Sequence, residues 1–345
     1  MGCGCTSAKT PSSLPKAPLS MRLSHSLVEV LTALPSPSKY HSRLIKWSRI
    51  RTTKDPAQPP FAAFSKARPA KFTEKLGKGP SCEYRWEVWK AALGLPLNGN
   101  RYAELLAQPL DDKVASDIEK DVLRTYFEIS YFKAEGRTAL TNVLKCLALD
   151  DPEVGYCQGI NFVVGLLLLI SGGQEAETFA FYAALRKVRG WRTLYVVGFP
   201  GLWELTYQWR ALFKEKDREL YKHFKAQGVQ EGLWLTKCVM TIFAVEVPLA
   251  LVVRLWDLVL CNDQDIFLKV GWTIIETIRS EVQGKDLSVI AEILRSTSKR
   301  SFDIEHFIHD VRRVNISKAV LERGSHKYQT KHMQPTVPAQ VNVEV

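Results

Sequence analysis

The sequence predicts an all-α protein of two helical lobes behind a basic, largely disordered N-terminal tail. Three observations carry that prediction. Apolar residues recur at helical spacing over most of the chain from residue 72 onward. Alternating strand patterns and βαβ units are absent, and glycine or proline breaks such as Gly172-Gly173, Gly198-Phe-Pro200, Gly228 and Pro248 separate the periodic stretches. Residues 1–70 hold eleven Lys and Arg against only Glu29 and Asp55, about +9 of the whole chain's +11, in a background rich in Ser, Pro, Thr and Lys.

The tail, residues 1–71, opens Met1-Gly2-Cys3-Gly4-Cys5-Thr6. That order fits the acceptor pattern for N-myristoylation of Gly2, with Cys3 and Cys5 placed for palmitoylation. One acyl chain binds a membrane only marginally, so a second chain and a polybasic segment are the expected complement. The tail therefore predicts a lipid anchor on the cytoplasmic face of a membrane. Leu19, Leu23, Leu27, Leu31 and Leu34 mark one face of a short helix ended by Pro35. From Tyr40 to Arg51, Arg43, Lys46, Arg49 and Arg51 interleave with Leu44, Ile45, Trp47 and Ile50, a pattern suited to a headgroup layer or to a solvated linker.

The helical region spans 72–315. Asp117 to Tyr131 places Ile118, Val122, Tyr126 and Ile129 on one face, and Ala139 to Leu149 does the same with Leu140, Val143, Leu144 and Leu147. The run Ile160 to Ile170 is too short to cross a bilayer, and Gly232 to Leu260 is broken by Lys237, Glu246, Arg254 and Asp257, so both read as buried helices. Further helices are expected at 176–189, 201–225, 232–246, 248–260, 266–282, 287–297 and 303–314. Residues 316–345 read as a flexible C-terminal tail.

Seven cysteines without paired C-x-x-C spacings, five of them scattered singly through apolar segments, predict reduced thiols in a cytosolic compartment. His306 and His309 are three apart with no thiolate or carboxylate signature, and no metal site is expected. Because the basic charge sits in the tail and no base-reading or stacking motif accompanies it, nucleic-acid binding is not expected.

Two short stretches carry chemistry: Ile118-Glu-Lys-Asp121-Val-Leu-Arg124 and Tyr156-Cys-Gln158-Gly159, with Arg124 and Gln158 34 positions apart. Arginine and glutamine are the side chains that nucleotide hydrolysis borrows from outside, one for charge growing on phosphate and one to orient water. Intrahelical pairing with Asp121 is the plain alternative for Arg124, and a polar turn is the plain alternative for Gln158.

Together with Arg85-Trp-Glu-Val-Trp89, Asp151-Pro152 and Arg254-Leu-Trp256-Asp257-Leu-Val-Leu260, these motifs make residues 72 to about 312 resemble a TBC domain, the fold of Rab-family GTPase-activating proteins. The resemblance implies that Arg124 and Gln158 enter the nucleotide site of a bound Rab in trans, in vesicle trafficking. It implies a GTPase activator without catalytic activity or cofactor of its own, GTP and Mg2+ staying with the partner. The other implied possibility is a catalytically weak Rab-binding scaffold or adaptor tethered to the membrane. Arg85, Trp89, Trp256 and Asp257, with Tyr156, Gly159 and Asp121, are expected to support the fold around the two fingers. Many family members carry a proline after the arginine motif, whereas this chain continues Thr125-Tyr126-Phe127-Glu128. Neither the particular Rab nor the oligomeric state is readable from the sequence.

Overall fold

A computed structural model describes residues 37–51, 59–94, 100–261 and 265–332, and every regular element among them is a helix. Gly2, Cys3, Cys5 and the leucine-patterned segment ending at Pro35 lie outside the described residues.

Three short helices open the described chain: α1 (Pro37–Arg51), α2 (Pro60–Ala67) and α3 (Pro69–Gly77). Proline begins α2 and α3, where its preset φ suits the first turn and its missing N–H costs nothing. The expectation that 1–71 is all tail and linker, with Tyr40 to Arg51 in a headgroup layer or a solvated linker, differs from the packing seen here. Trp47 and Ile50 are buried, and the Trp47 ring sits edge-on to Phe61 at 5.7 Å and to Phe72 at 6.1 Å. Each such ring buries roughly 150–250 Å² when packed, so the apolar face of α1 is satisfied by the protein's own core.

Helices α4 (Cys82–Leu93), α5 (Asn100–Leu106), α6 (Asp112–Arg124), α7 (Glu135–Asp150), α8 (Ile160–Ser171) and α9 (Glu175–Val188) complete the first lobe. In α8 all residues but Phe162 and Ile170 are buried, as an apolar all-round sequence requires. The second lobe comprises α10 (Pro200–Lys216), α11 (Arg218–Ala226), α12 (Leu235–Met240), α13 (Leu249–Val259), α14 (Ile266–Val282), α15 (Leu287–Arg295), α16 (Ile304–Arg313) and α17 (Lys318–His332). The lobes share one core. Helix α13 packs on both α3 and α16, and its Trp256 stacks on Trp89 of α4 with ring centroids 5.6 Å apart.

The structure departs from the expected boundaries at three places. The 201–225 helix divides at Asp217, whose carboxylate accepts the Leu220 amide at 2.9 Å and caps α11. The 232–246 helix stops at Met240, because Ile242 and Phe243 take φ of 46° and 66°. The supposed C-terminal tail is helical as far as His332 and packs along α10, which corrects the boundary at 316; residues 333–345 lie outside the described set. Val320, Gly324 and Tyr328 form its buried stripe, hidden in sequence by many charged neighbours. At Gly324 a Cβ would stand 2.4 Å from the Gln208 Cα, so the two helix backbones approach as only glycine permits.

Candidate functional site

Helix α6 starts at a cap, Asp111, whose carboxylate accepts the amides of Lys113 and Val114 at 3.0 and 3.1 Å. It ends at Arg124, short of the expected Tyr131. Thr125 is extended and Tyr126 takes φ of 45°, held there because its hydroxyl lies 3.2 Å from the Phe162 carbonyl and 3.1 Å from that of Ala244. The chain turns away, leaving Arg124 at a helix terminus with its side chain 52 % exposed.

Arg124 folds back on its own helix. Nε and Nη2 donate to Asp121 Oδ1 at 2.9 and 2.5 Å, while the Asp121 side chain is almost wholly enclosed. The other carboxylate oxygen, Oδ2, accepts the Tyr156 hydroxyl at 2.5 Å. One buried carboxylate thus holds both the guanidinium of α6 and the tyrosine of the 156–159 loop. Burial, reinforced by that carboxylate, pushes the Tyr156 hydroxyl well above its usual range and keeps it a donor. Burial also pushes the neighbouring Cys157 thiol up to about 11, so it stays protonated near neutrality.

A second bridge runs behind the first. Thr125 Oγ1 donates to the Asp121 carbonyl at 2.6 Å, Asn161 Nδ2 donates to Thr125 Oγ1 at 2.7 Å, and the Gly159 amide donates to Asn161 Oδ1 at 2.9 Å. Thr125 and Asn161 are fully buried. Both belong to stretches that stand out in sequence, yet residue type and spacing alone give neither a role. Their function as connectors depends on α6 and α8 packing together.

Gln158 is exposed, and its side-chain amide has no hydrogen-bond partner among the described residues. Its loop is fixed at both ends. Asp151 is clamped by Arg192 through two bonds of 2.8 Å, and that hydrogen bonding holds the Asp151 carboxyl below its usual range. At the far end Gly159 takes φ of 110°, with a Cβ there placed 2.9 Å from the Met240 carbonyl oxygen. Leu123 and Phe127, on either side of Arg124, expose 52 % and 58 % of their surface.

Arg85, Trp89, Trp256 and Asp257 are not part of this arrangement but form a buried cluster between the lobes. Asp257 accepts from Trp89 Nε1 at 2.8 Å, Arg85 Nε at 3.3 Å and Arg254 Nη1 at 2.5 Å. Trp256 Nε1 donates to the Ile242 carbonyl at 3.1 Å, pinning the positive-φ turn. His306 and His309 pair with Asp310, and among the described residues no His, Cys, Asp and Glu group has the arrangement to hold a metal. No described helix is long and apolar enough to cross a membrane, and the five described cysteines are unbridged.

A family model described as the Rab-GTPase-TBC domain matches residues 82–283. The GTPase-activating protein GYP5 of Eremothecium gossypii is 32 % identical over 317 residues, covering 79 % of this chain and 37 % of that protein. The human Ecotropic viral integration site 5 protein homolog is 30 % identical over 240 residues, covering 67 % of this chain and 28 % of that protein. The chain thus spans about a third of the length of these relatives. Among solved structures, the Ypt/Rab-GAP domain of Gyp1p superposes with a TM-score of 0.65 at 17 % identity, over 85 % of this chain and 99 % of that one. The Chlamydomonas flagellar RabGAP TBC domain gives 0.58 at 20 % identity, over 84 % and 95 %. At such identities these two likenesses concern the fold.

Proposed function

The chain belongs to the Rab-GTPase-TBC domain family, and we propose that it accelerates GTP hydrolysis by a Rab-family small GTPase, with Arg124 and Gln158 supplied in trans. The observation that carries this reading is the Asp121 carboxylate, which ties an exposed arginine and the loop of an exposed glutamine to one rigid support.

Arg124 brings a planar fork of donors to the γ-phosphoryl oxygens and the leaving group, where negative charge develops. An arginine finger contributes roughly 10³ to 10⁵ in rate, about 4–7 kcal/mol of barrier. Its resting pair with Asp121 is a half-exposed i,i+3 contact worth a few tenths of a kcal/mol, so release toward phosphate is cheap. Asp121 keeps the Tyr156 hydroxyl when the arginine leaves, and its charge is not left bare. Gln158 offers one donor and one acceptor to the hydrolytic water. GTP and Mg2+ are carried by the GTPase, and Leu123 and Phe127 supply apolar contact beside the finger.

In this reading the reaction takes place at a cytosolic membrane surface, to which acylation at Gly2, Cys3 and Cys5 brings the domain. Single-turnover GTP hydrolysis by a panel of Rab proteins, with and without the chain, tests the activity. Acceleration by the parent and its loss in Arg124→Ala and Gln158→Ala are expected. A Rab that binds without acceleration would leave the tethered-scaffold reading instead. Membrane association unchanged by Gly2→Ala would refute the anchor.

A further inference from the structure

A short turn of the second lobe touches the supports of both fingers. It lies between α12 and α13, at Ile242 and Phe243, whose φ of 46° and 66° fall in the left-handed region although neither is glycine. Such backbone persists only where its surroundings over-determine it. Here the Phe243 amide donates to the Cys238 carbonyl at 2.8 Å and the Ala244 amide to that of Thr241 at 2.9 Å, while the Trp256 indole holds the Ile242 carbonyl from behind. Ile242, Phe243 and Ala244 are all buried.

Two carbonyls of this turn, at Met240 and Ala244, serve opposite fingers. The Ala244 carbonyl accepts the hydroxyl of Tyr126, two residues after Arg124, at 3.1 Å, and the same hydroxyl lies 3.2 Å from the Phe162 carbonyl of α8. The Met240 carbonyl accepts the Tyr195 hydroxyl at 3.1 Å and abuts Gly159, the residue after Gln158, where an added Cβ would come within 2.9 Å of its oxygen. Tyr195 in turn follows the short helical turn that carries Arg192, whose guanidinium clamps Asp151 at the start of the glutamine loop.

Tyr126 is shaped for this tether. Thr125-Tyr126-Phe127-Glu128 contains no proline to preset a turn, so the Tyr126 φ of 45° has to be held by bonds. Its ring stacks on Phe132 and meets Phe162 edge-on, both at 5.7 Å, and α8 carries Gly165 opposite, where a Cβ would stand 3.0 Å from the ring. Phenylalanine would fill that slot equally well. What the oxygen adds is a bond to a carbonyl of each lobe, and burial raises the hydroxyl above its usual range so that it stays a donor.

We propose that the turn from Met240 to Ala244 sets the spacing of the two fingers, with Tyr126 a positioning residue for Arg124 and Tyr195 a positioning residue for Gln158. This rests on the activity proposed above and adds to it that the second lobe, which carries neither finger, aligns both. Docking of a GTPase in the ground state uses exposed surface and does not require that alignment. The transition state does, because growing charge and attacking water must be met together.

The test is single-turnover GTP hydrolysis by a Rab protein that the full chain accelerates, followed as a function of chain concentration. Tyr126→Phe is expected to lower the limiting rate about tenfold while the half-saturating concentration stays within about twofold, since a small misplacement of a reacting group costs up to about a hundredfold. In an Arg124→Ala background the same change should cost less than about twofold, because the group it positions is gone. Tyr195→Phe should show the reciprocal pattern, its loss vanishing in a Gln158→Ala background. Tyr207→Phe, which removes a hydroxyl facing His332 of α17, should leave the rate unchanged. Either cycle decides by itself if the other tyrosine variant melts too early to assay. A rate unchanged in a folded tyrosine variant, or a loss that persists in full without the matching finger, marks a merely structural role and overturns the proposal. Acceleration that depends on Arg124 and Gln158 but not on Tyr126 overturns this inference alone, whereas no acceleration of any Rab by the parent overturns it together with the proposed activity.

Discussion

Asp121 accepts the Tyr156 hydroxyl at 2.5 Å across 35 residues of chain, joining the end of α6 to the loop that carries Gln158. Removing this bond separates positioning from folding. Tyr156→Phe keeps the ring, and loss of one hydrogen bond costs about 1 kcal/mol of stability. Single-turnover hydrolysis should fall about tenfold or more, because a misaligned finger loses rate steeply. An unchanged rate would mean that the Asp121 bridge does not position the fingers.

Asn161→Ala removes both arms of the second bridge at a fully enclosed site, orphaning the Gly159 amide, while the Thr125 hydroxyl loses the bond it accepts but still donates to the Asp121 carbonyl. A loss of about 1–3 kcal/mol in urea unfolding is expected, the cost of one buried orphan. Thr125→Val leaves the buried Asn161 amide nitrogen without its acceptor and should cost a similar amount.

Gly159→Ala faces two penalties. Its φ of 110° disfavours any side chain, and the added methyl would stand 2.9 Å from the Met240 carbonyl. A loss of about 1–3 kcal/mol is expected from thermal melting, with hydrolysis reduced further because Gln158 is the adjacent residue.

Asp257→Ala strips a buried carboxylate from Arg85, Arg254 and Trp89. Breaking such a pair costs about 3–5 kcal/mol, visible as a lower urea midpoint. Association with a Rab, measured below the melting temperature, should be nearly unaffected.

Acid should weaken the seam between α1 and the second lobe. At Glu305 burial alone would raise the pKa, but Arg254 and Arg43 outweigh it and hold the carboxyl below the usual glutamate range. A folded pKa below the unfolded value means stability fully present above the unfolded pKa and lost as pH falls through the folded one. Glu305→Gln should remove that component of the acid-unfolding curve, read by far-UV circular dichroism, and flatten the dependence below about pH 5.

The helices from 72 to 315 were legible because their apolar period is strong, and α13 and α14 fall within a residue or two of where periodicity puts them. Arg124 and Gln158 stood out by residue type. What pattern could not give was the support: Thr125 and Asn161 are ordinary polar residues until α6 and α8 pack. The turn at Tyr126 was hidden because a tyrosine at positive φ follows no local preference and is fixed by two carbonyls far along the chain. Helices α1 and α17 were read as tail because their charged faces outweigh a narrow buried stripe, Trp47 and Ile50 in one, Val320 and Tyr328 in the other.

The close approach at Gly324 makes α17 a roof rather than an appendage. Tyr207 meets Tyr328 at 6.0 Å, Trp203 stacks with His332 at 6.0 Å, and Gln208 donates to Ser325 at 2.9 Å. A protease cut near residue 316 would uncover a sticky aromatic seam on α10. The shortened molecule should self-associate while both fingers remain in place, so its loss of solubility could be mistaken for loss of catalysis.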